Sequence, residues 1–364
     1  MKNIWQIAAG EQGRYYDDLF VNHNIMFMGP GDFGVHDDLI YSNQVSEGLI
    51  TNHRKHQISK FVNDPKEGDV VLLRKGYVVS SIGVITDDTY LWDNRFDDVF
   101  GWDLQHTRRV CWQNEFKAEL DEIQNYDSHS NNYLSPIFES RKQIPTFTGV
   151  EDKNIIDPIK HLFDKVKKIE LGPLELSVPN PLSLDDFGEM LFGKGLANDS
   201  VDQVINVIKR QRRLGKWYNK TLGQNRPSES ELVAYLILPL LLGLGWSEQL
   251  LAVEWQKVDL AGFSSTPSTN NNCTLVCEAK HMWHPLMPAL DQARNYVKKL
   301  ELIKCNRIML TDGLRIYLFE KENEKWGDEP TGYININLLR TNHLAPKNTN
   351  AIETLMKLGP INTK

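Results

Sequence analysis

The residue types and spacing best suited to chemistry are Asp259, Glu278 and Lys280. Side chains alternate faces along a β-strand, so in TLVCEAK, Thr274–Lys280, Glu278 and Lys280 project to one side, Cys277 and Ala279 to the other. Asp259 ends an earlier β-branched and apolar run, and the intervening SSTPSTNNN is turn chemistry that would join two antiparallel strands. Two carboxylates thus converge with one ammonium. Such hard oxygen donors suit Mg²⁺, or Mn²⁺ in its place, which neutralises charge on a scissile phosphate and lowers the pKa of a bound water. The lysine would orient that water or stabilise the developing charge. The chemistry read from this set is metal-assisted phosphodiester cleavage. A solvated ion pair on a surface hairpin is the plain alternative for any E-x-K, but here the pair closes an apolar stretch, where an unpaired acid would be costly.

A helix must follow these strands, and Gln292 and Tyr296, at i and i+4, share one face of it. Asp259, then Glu278-Ala279-Lys280, then Gln292-x-x-x-Tyr296 resembles the PD-(D/E)XK nuclease superfamily. It is closest in pattern to members with the extra Q-x-x-x-Y motif, such as the nuclease domains of type I restriction motor subunits and RecB-like nucleases. The resemblance covers about residues 228–320. It implies that Asp259, Glu278 and the backbone carbonyl of Ala279 hold the metal, and that Gln292 and Tyr296 position the strand. The first acid lies in V-D-L rather than the family's P-D.

SESELVAYLILPLLLGLGW reads as a capped helix with apolar residues at Leu232, Leu236 and Leu240, and it resembles the opening helix of those domains, which often supplies a further acid. Glu229 shares the face of Leu232 and Leu236 and is preferred for that role over Glu231. Glu254, at an odd separation from Asp259, is expected to point away from it and to be structural. NRIMLTDG and RIYLFEKE read as two closing strands around a turn.

Residues 1–148 carry strand-like runs, NIWQIAAG, HNIMFMGPG, DVVLLRKG, VVSSIGVIT and RRVCWQNEF, with few helices, which predicts a small mixed β-barrel. GDVVLLRKG followed by SSIGVIT, with IWQIAAG before and GWDLQHTRRVCW after, resembles the EVE-like branch of the PUA superfamily. That resemblance implies a pocket for a modified base, stacked on rings and met by polar groups at its edge. Trp102 and Asp103, which share a Gly-Trp-Asp loop, are the first candidates, with Asp32, Tyr15 and Tyr16 beside them. Any single aromatic in a small barrel is more often core than pocket, and Trp5 and Trp112 are expected to be core.

Residues 113–150 are polar, proline-bearing and aperiodic, and read as a connection. Residues 149–225 read as a helical linker whose third helix ends in Lys209, Arg210, Arg212, Arg213 and Lys216, followed by Trp217 and Tyr218. This is the candidate DNA-backbone surface; a solvated helix end whose cations offset the helix dipole is the alternative. Residues 226–364 form the expected nuclease domain, so the fold class is α+β and α/β in several domains.

The chain of 364 residues has a net charge of −7, which argues against a protein that coats nucleic acid nonspecifically. No run is apolar enough to span a bilayer and the start MKNIWQIAAGEQGR lacks a signal-peptide core, so a cytoplasmic location without membrane association is expected. Cys111, Cys273, Cys277 and Cys305 show no metal-ligand series and read as reduced thiols. There is no Walker-type loop, so a motor would have to come from a partner subunit. The expectation from the two resemblances is a Mg²⁺-dependent restriction endonuclease of anti-phage defence acting on modified DNA. A homodimer is expected because one centre cuts one strand. Two rivals stand beside it: an inactive nucleic-acid-binding module, and a DNA or RNA nuclease indifferent to modification that works with partner subunits.

Overall fold

The structure is a computed structural model that describes residues 3–11, 14–36, 42–43, 51–130, 132–133, 135–139, 144–176, 181–220 and 226–360. The chain divides into two compact units: Met1–Asp97 with Trp102–Leu176, and Ser177–Lys364 with the short segment Asp98–Gly101. Both are mixed α and β, as the sequence patterns require.

The first unit is built on six strands, β1 (Ile4–Ala8), β2 (Ile25–Met28), β3 (Val70–Lys75), β4 (Val78–Trp92), β5 (His106–Gln113) and β6 (Phe147–Gly149), in the order β6-β1-β3-β4-β5-β2. β1 and β3 are parallel and the other pairs antiparallel. The expected closed barrel is not formed: among the described residues the path runs open from β6 to β2. Closure needs the two outer strands to pair along their length. Here β6 offers three residues and β2 four, and each has one strand partner. Trp5 and Trp112 are core, as expected, each 6% exposed. Trp5 stacks on Phe147 at 5.2 Å.

The boundaries also shift. Phe116, Leu120, Phe138, Ile155, Ile159 and Leu162 are buried in one cluster with Val70, Leu72 and Ile82. The polar stretch read as a connection and the start of the expected linker therefore complete this unit's core, and the domain expected to end at 148 runs to Leu176. A few apolar residues spread through polar sequence, Phe116 and Leu120 one turn apart, were enough to anchor it. Parts of NYDSHSNNYLSP and RKQIPTFTG lie outside the described residues.

The second unit holds a seven-stranded sheet. Its main strands are β7 (Leu251–Trp255), β8 (Val258–Phe263), β9 (Cys273–Ala279), β10 (Arg307–Thr311), β11 (Arg315–Glu322) and β12 (Gly332–Asn335). β7, β8 and β9 pair antiparallel, β9 and β10 parallel, and β10 with β11 and β11 with β12 antiparallel. A parallel pair cannot be joined by a tight turn. The crossover between β9 and β10 is made through the helix Pro288–Lys299.

The helices Leu184–Gly193 and Asn198–Lys220, expected as a linker, belong to this unit. Their Phe187, Leu191, Val204 and Ile208 share one buried cluster with Leu232, Leu236 and Leu240 of the next helical run and with Leu260, Leu275, Cys277 and Met309 of the sheet. A helix with an apolar stripe must bury it, and this sheet face supplies the partner. At Gly215 the approach is close: a Cβ there would stand 2.7 Å from Cδ1 of Leu314. Residues 221–223, at the expected end of the third helix, lie outside the described residues. Among the described residues no helix is long and apolar enough to cross a membrane.

The turn between β10 and β11 is fixed by Asp312. Its Oδ1 accepts the backbone N–H groups of Leu314 (3.1 Å) and Arg315 (2.7 Å), and its Oδ2 accepts Nε of Arg315 (3.0 Å) and the N–H of Trp283 (3.1 Å). Both side chains of the Asp312–Arg315 pair are buried. Asp312→Ala would leave the Arg315 charge buried beside a lost partner, so a stability loss of about 3–5 kcal/mol is expected in thermal or urea unfolding.

Candidate active site

The capped helix forms where the sequence places it. Ser228 and Glu231 make a reciprocal capping box, Oγ of Ser228 accepting the N–H of Glu231 and the Glu231 carboxylate accepting the N–H of Ser228 at 2.8 Å. Glu231 is thereby tied to the cap, whereas Glu229 reaches the site, its Oε1 4.0 Å from Nζ of Lys280. The run from Glu229 continues through a π-helical turn, Val233–Ile237, into Leu238–Gly243. The ring of His281 stands 3.2 Å from the carbonyl of Pro227, which ties the loop after β9 to the start of this helix.

The strand register brings the two acids together. Leu260 lies opposite Cys277 and Ala261 opposite Val276, so Asp259 stands beside Glu278 one step further along the same ladder. Leu275, Cys277 and Ala279 enter the helix-covered core, and alternation turns Glu278 to the other side. The backbone N–H of Ala279 donates to Oδ2 of Asp259 at 2.6 Å, and Nζ of Lys280 donates to Oε1 of Glu278 at 2.8 Å. Lys280 is itself fixed by its N–H, which donates to the carbonyl of Thr311 at 2.9 Å.

Glu278 is 1% exposed, and its second oxygen, Oε2, is buried with no hydrogen-bond partner among the described residues. An ionised carboxylate with a bare buried oxygen is unfavourable. Burial, with the Asp259 charge adding to it, pushes the Glu278 carboxyl up to about 7 against the pull of Lys280. Burial raises Asp259 as well, offset in part by the Ala279 N–H and Lys280 and reinforced by Glu229 and Glu254. For Lys280 burial is the largest single effect and acts downward. The Glu278 hydrogen bond and the charges of Glu278, Glu229 and Asp259 outweigh it, so the ammonium is held above its ordinary value.

Glu254 is closer to the site than expected. β7 and β8 are joined by the two residues Gln256 and Lys257, both with positive φ (48° and 75°), and Val253 pairs with Leu260 and Trp255 with Val258. Across such a hairpin Glu254 falls opposite Asp259, and its charge helps raise the Asp259 carboxyl. Counting along one strand does not apply across a turn, and the backbone at Glu254 is itself left-handed, φ 52°. Its Oε1 accepts Oγ–H of Ser230 at 2.9 Å, linking it to the Glu229 helix.

Among the described residues no three His, Cys, Asp or Glu side chains form a ready metal-holding group. The donors that fit a hard cation are the two neighbouring carboxylates, and the bare Oε2 of Glu278 is the atom a cation would satisfy. Gln292 and Tyr296 are brought to each other, Nε2 to the hydroxyl at 3.1 Å, on the crossover helix.

The five expected backbone contacts divide. Lys209, Arg210, Arg213 and Lys216 are exposed, but Arg212 turns inward and its Nε donates to the carbonyl of Ile336 at 2.6 Å. The helix buries Ile208, Gln211 and Gly215 on the side that Arg212 adjoins.

In the first unit the expected pocket residues are only partly gathered. The N–H of Gly31 donates to the carbonyl of Asp103 at 2.9 Å, and Nε1 of Trp92 to the carbonyl of Gly31 at 2.8 Å, so the Asp32 loop and the Trp102–Asp103 loop lie together. Asp32 is exposed, and Trp102 and Asp103 are half-buried. Tyr16 is buried at 5% exposure and has no face to offer a base, while Tyr15 lies under Nζ of Lys75, 5.6 Å from its ring centre.

Comparison with known proteins finds a match to a family described as a domain of unknown function, DUF8426, over residues 5–138. No curated protein and no solved structure gives a match.

Proposed function

We propose that the chain is a divalent-metal-dependent DNA endonuclease of the PD-(D/E)XK kind, with the first unit acting as an EVE/PUA-like sensor of modified bases in anti-phage restriction. The observation that carries the reading is the bare buried oxygen of Glu278, beside Asp259 and Lys280 at the end of β9. A buried carboxylate oxygen without a hydrogen bond costs stability and is kept where a ligand completes it.

Asp259 and Glu278, with the Ala279 carbonyl, are the residues that would hold the cation. When bound, the cation would neutralise charge on the scissile phosphate and make water a better nucleophile. Asp259 is already oriented by the Ala279 N–H, so one ligand is fixed before substrate arrives. Lys280 is held protonated by the acids around it, and its ammonium would serve the phosphoryl oxygens or the attacking water. Glu229 adds a third acid beside that ammonium. Gln292 and Tyr296, already bonded to each other, would position the strand, and a homodimer would cut both strands of a duplex.

The test is to incubate purified full-length protein and Mg²⁺ with plain DNA, the same DNA carrying modified cytosine, and RNA. The expected result is cleavage of the modified DNA well above the other two. Equal digestion of both DNAs would remove the sensor role, RNA cleavage alone would change the substrate, and no cleavage of any would favour an inactive binding module.

A further inference from the structure

A cavity of about 600 Å³ in the second unit is lined by Arg210, Arg213, Leu214, Trp217, Tyr218 and Tyr235, within the range of small-ligand sites. The first five share one helix at spacings of three and four, so they form one face, and Tyr235 faces them from the π-helical turn. Trp217 is 52% and Tyr235 45% exposed. Arg210 and Arg213 are exposed beside them, with Lys209 and Lys216 on the same helix. Glu231, whose charge adds to burial in raising the Tyr218 hydroxyl, is an acid near the groove and is engaged in its helix cap. The groove therefore presents cations and ring faces to a polyanion that has rings of its own.

Base pairs in a duplex are stacked on one another and hide their faces, so exposed tryptophan and tyrosine rings match bases that are unpaired. Tyr235 lies on the same helical run as Glu229, roughly 9 Å along it at 1.5 Å per residue. We infer that this groove binds an unpaired stretch of DNA strand, with bases on Trp217 and Tyr235 and phosphates on Arg210 and Arg213, on the helical run that also carries Glu229. The inference rests on the nuclease reading for where the strand leads, and its test does not require cutting.

Binding of a fluorescein-labelled oligo-dT, a blunt duplex of equal length and oligo-rU to the full-length protein in EDTA would be measured by anisotropy. Trp217→Ala/Tyr235→Ala is expected to weaken oligo-dT binding at least about tenfold, since each stacked base contributes, and to change duplex binding by less than about twofold. Trp217→Phe/Tyr235→Phe, which keeps a ring at both positions, is expected to restore oligo-dT binding. Equal losses on single strand and duplex, an unchanged oligo-dT affinity in the Ala variant, no recovery in the Phe variant, or tighter oligo-rU binding would overturn the assignment. A wild-type protein that binds oligo-dT through these rings yet cuts nothing in Mg²⁺ would sink the nuclease reading and leave the groove standing.

Discussion

Replacing Lys280 by alanine is expected to lower Mg²⁺-dependent DNA cleavage by about 10²–10³-fold, the usual cost of removing one donor aimed at developing charge. DNA binding in EDTA should be nearly unchanged, because the exposed cations of the Asn198–Lys220 helix are left in place by the substitution. Single-turnover cleavage and anisotropy on the same variant check both halves. Lys280→Arg keeps the charge but not its shape or reach, and only partial recovery is expected. The pH profile follows from the same contacts. A cation held by Glu278 would need that carboxyl ionised, so on the proposed mechanism cleavage should rise with pH through about 7, the value to which burial and Asp259 push it. Raising Mg²⁺ should move the midpoint down, since cation and proton compete for one oxygen.

Glu278→Gln is expected to abolish cleavage and at the same time to stabilise the protein. Glu278 titrates near 7 when folded, against an ordinary value of 4.5. Between those pH values the folded chain binds a proton that the unfolded chain has lost, so unfolding free energy falls as pH rises through the window. Above pH 7 the loss is complete, and at 1.36 kcal/mol per unit it amounts to about 3 kcal/mol. The glutamine carries no charge to desolvate. Its stabilising effect should be up to about 3 kcal/mol at pH 8 and should vanish near pH 4.5, as read by urea unfolding at both pH values. Such a trade between stability and activity is common at functional sites.

The second unit was more legible in sequence than the first. Alternation in TLVCEAK and the turn chemistry of SSTPSTNNN were local, and they are enough to give the pairing of β8 with β9 that brings Asp259 to Glu278. The Ser228–Glu231 cap was equally local, and it separates Glu229 from Glu231. Glu254 was missed because its place depends on a two-residue turn carrying no glycine, with Gln256 and Lys257 in left-handed backbone. The open sheet of the first unit was missed for a different reason. Its edge strand β6 is three residues in a polar stretch, and its pairing with β1 spans most of the unit's length in sequence. The direction of Arg212 also depended on tertiary packing, since the carbonyl it meets belongs to Ile336. Tyr235 read as one more residue of an apolar helix; only the π-helical turn and the facing aromatics give it a place in the groove.

Asp259 and Glu278, acids from adjacent strands, would have to share one hard cation for the proposed cleavage to occur. The most direct measurement is incision of supercoiled plasmid DNA bearing modified cytosine by wild-type protein and by Asp259→Asn, each with Mg²⁺ and with EDTA. Nicked and linear product is expected from wild-type with Mg²⁺ alone, and none from the other three reactions. Cutting that persists in EDTA, or an Asp259→Asn protein that cuts as fast as wild-type, would contradict it.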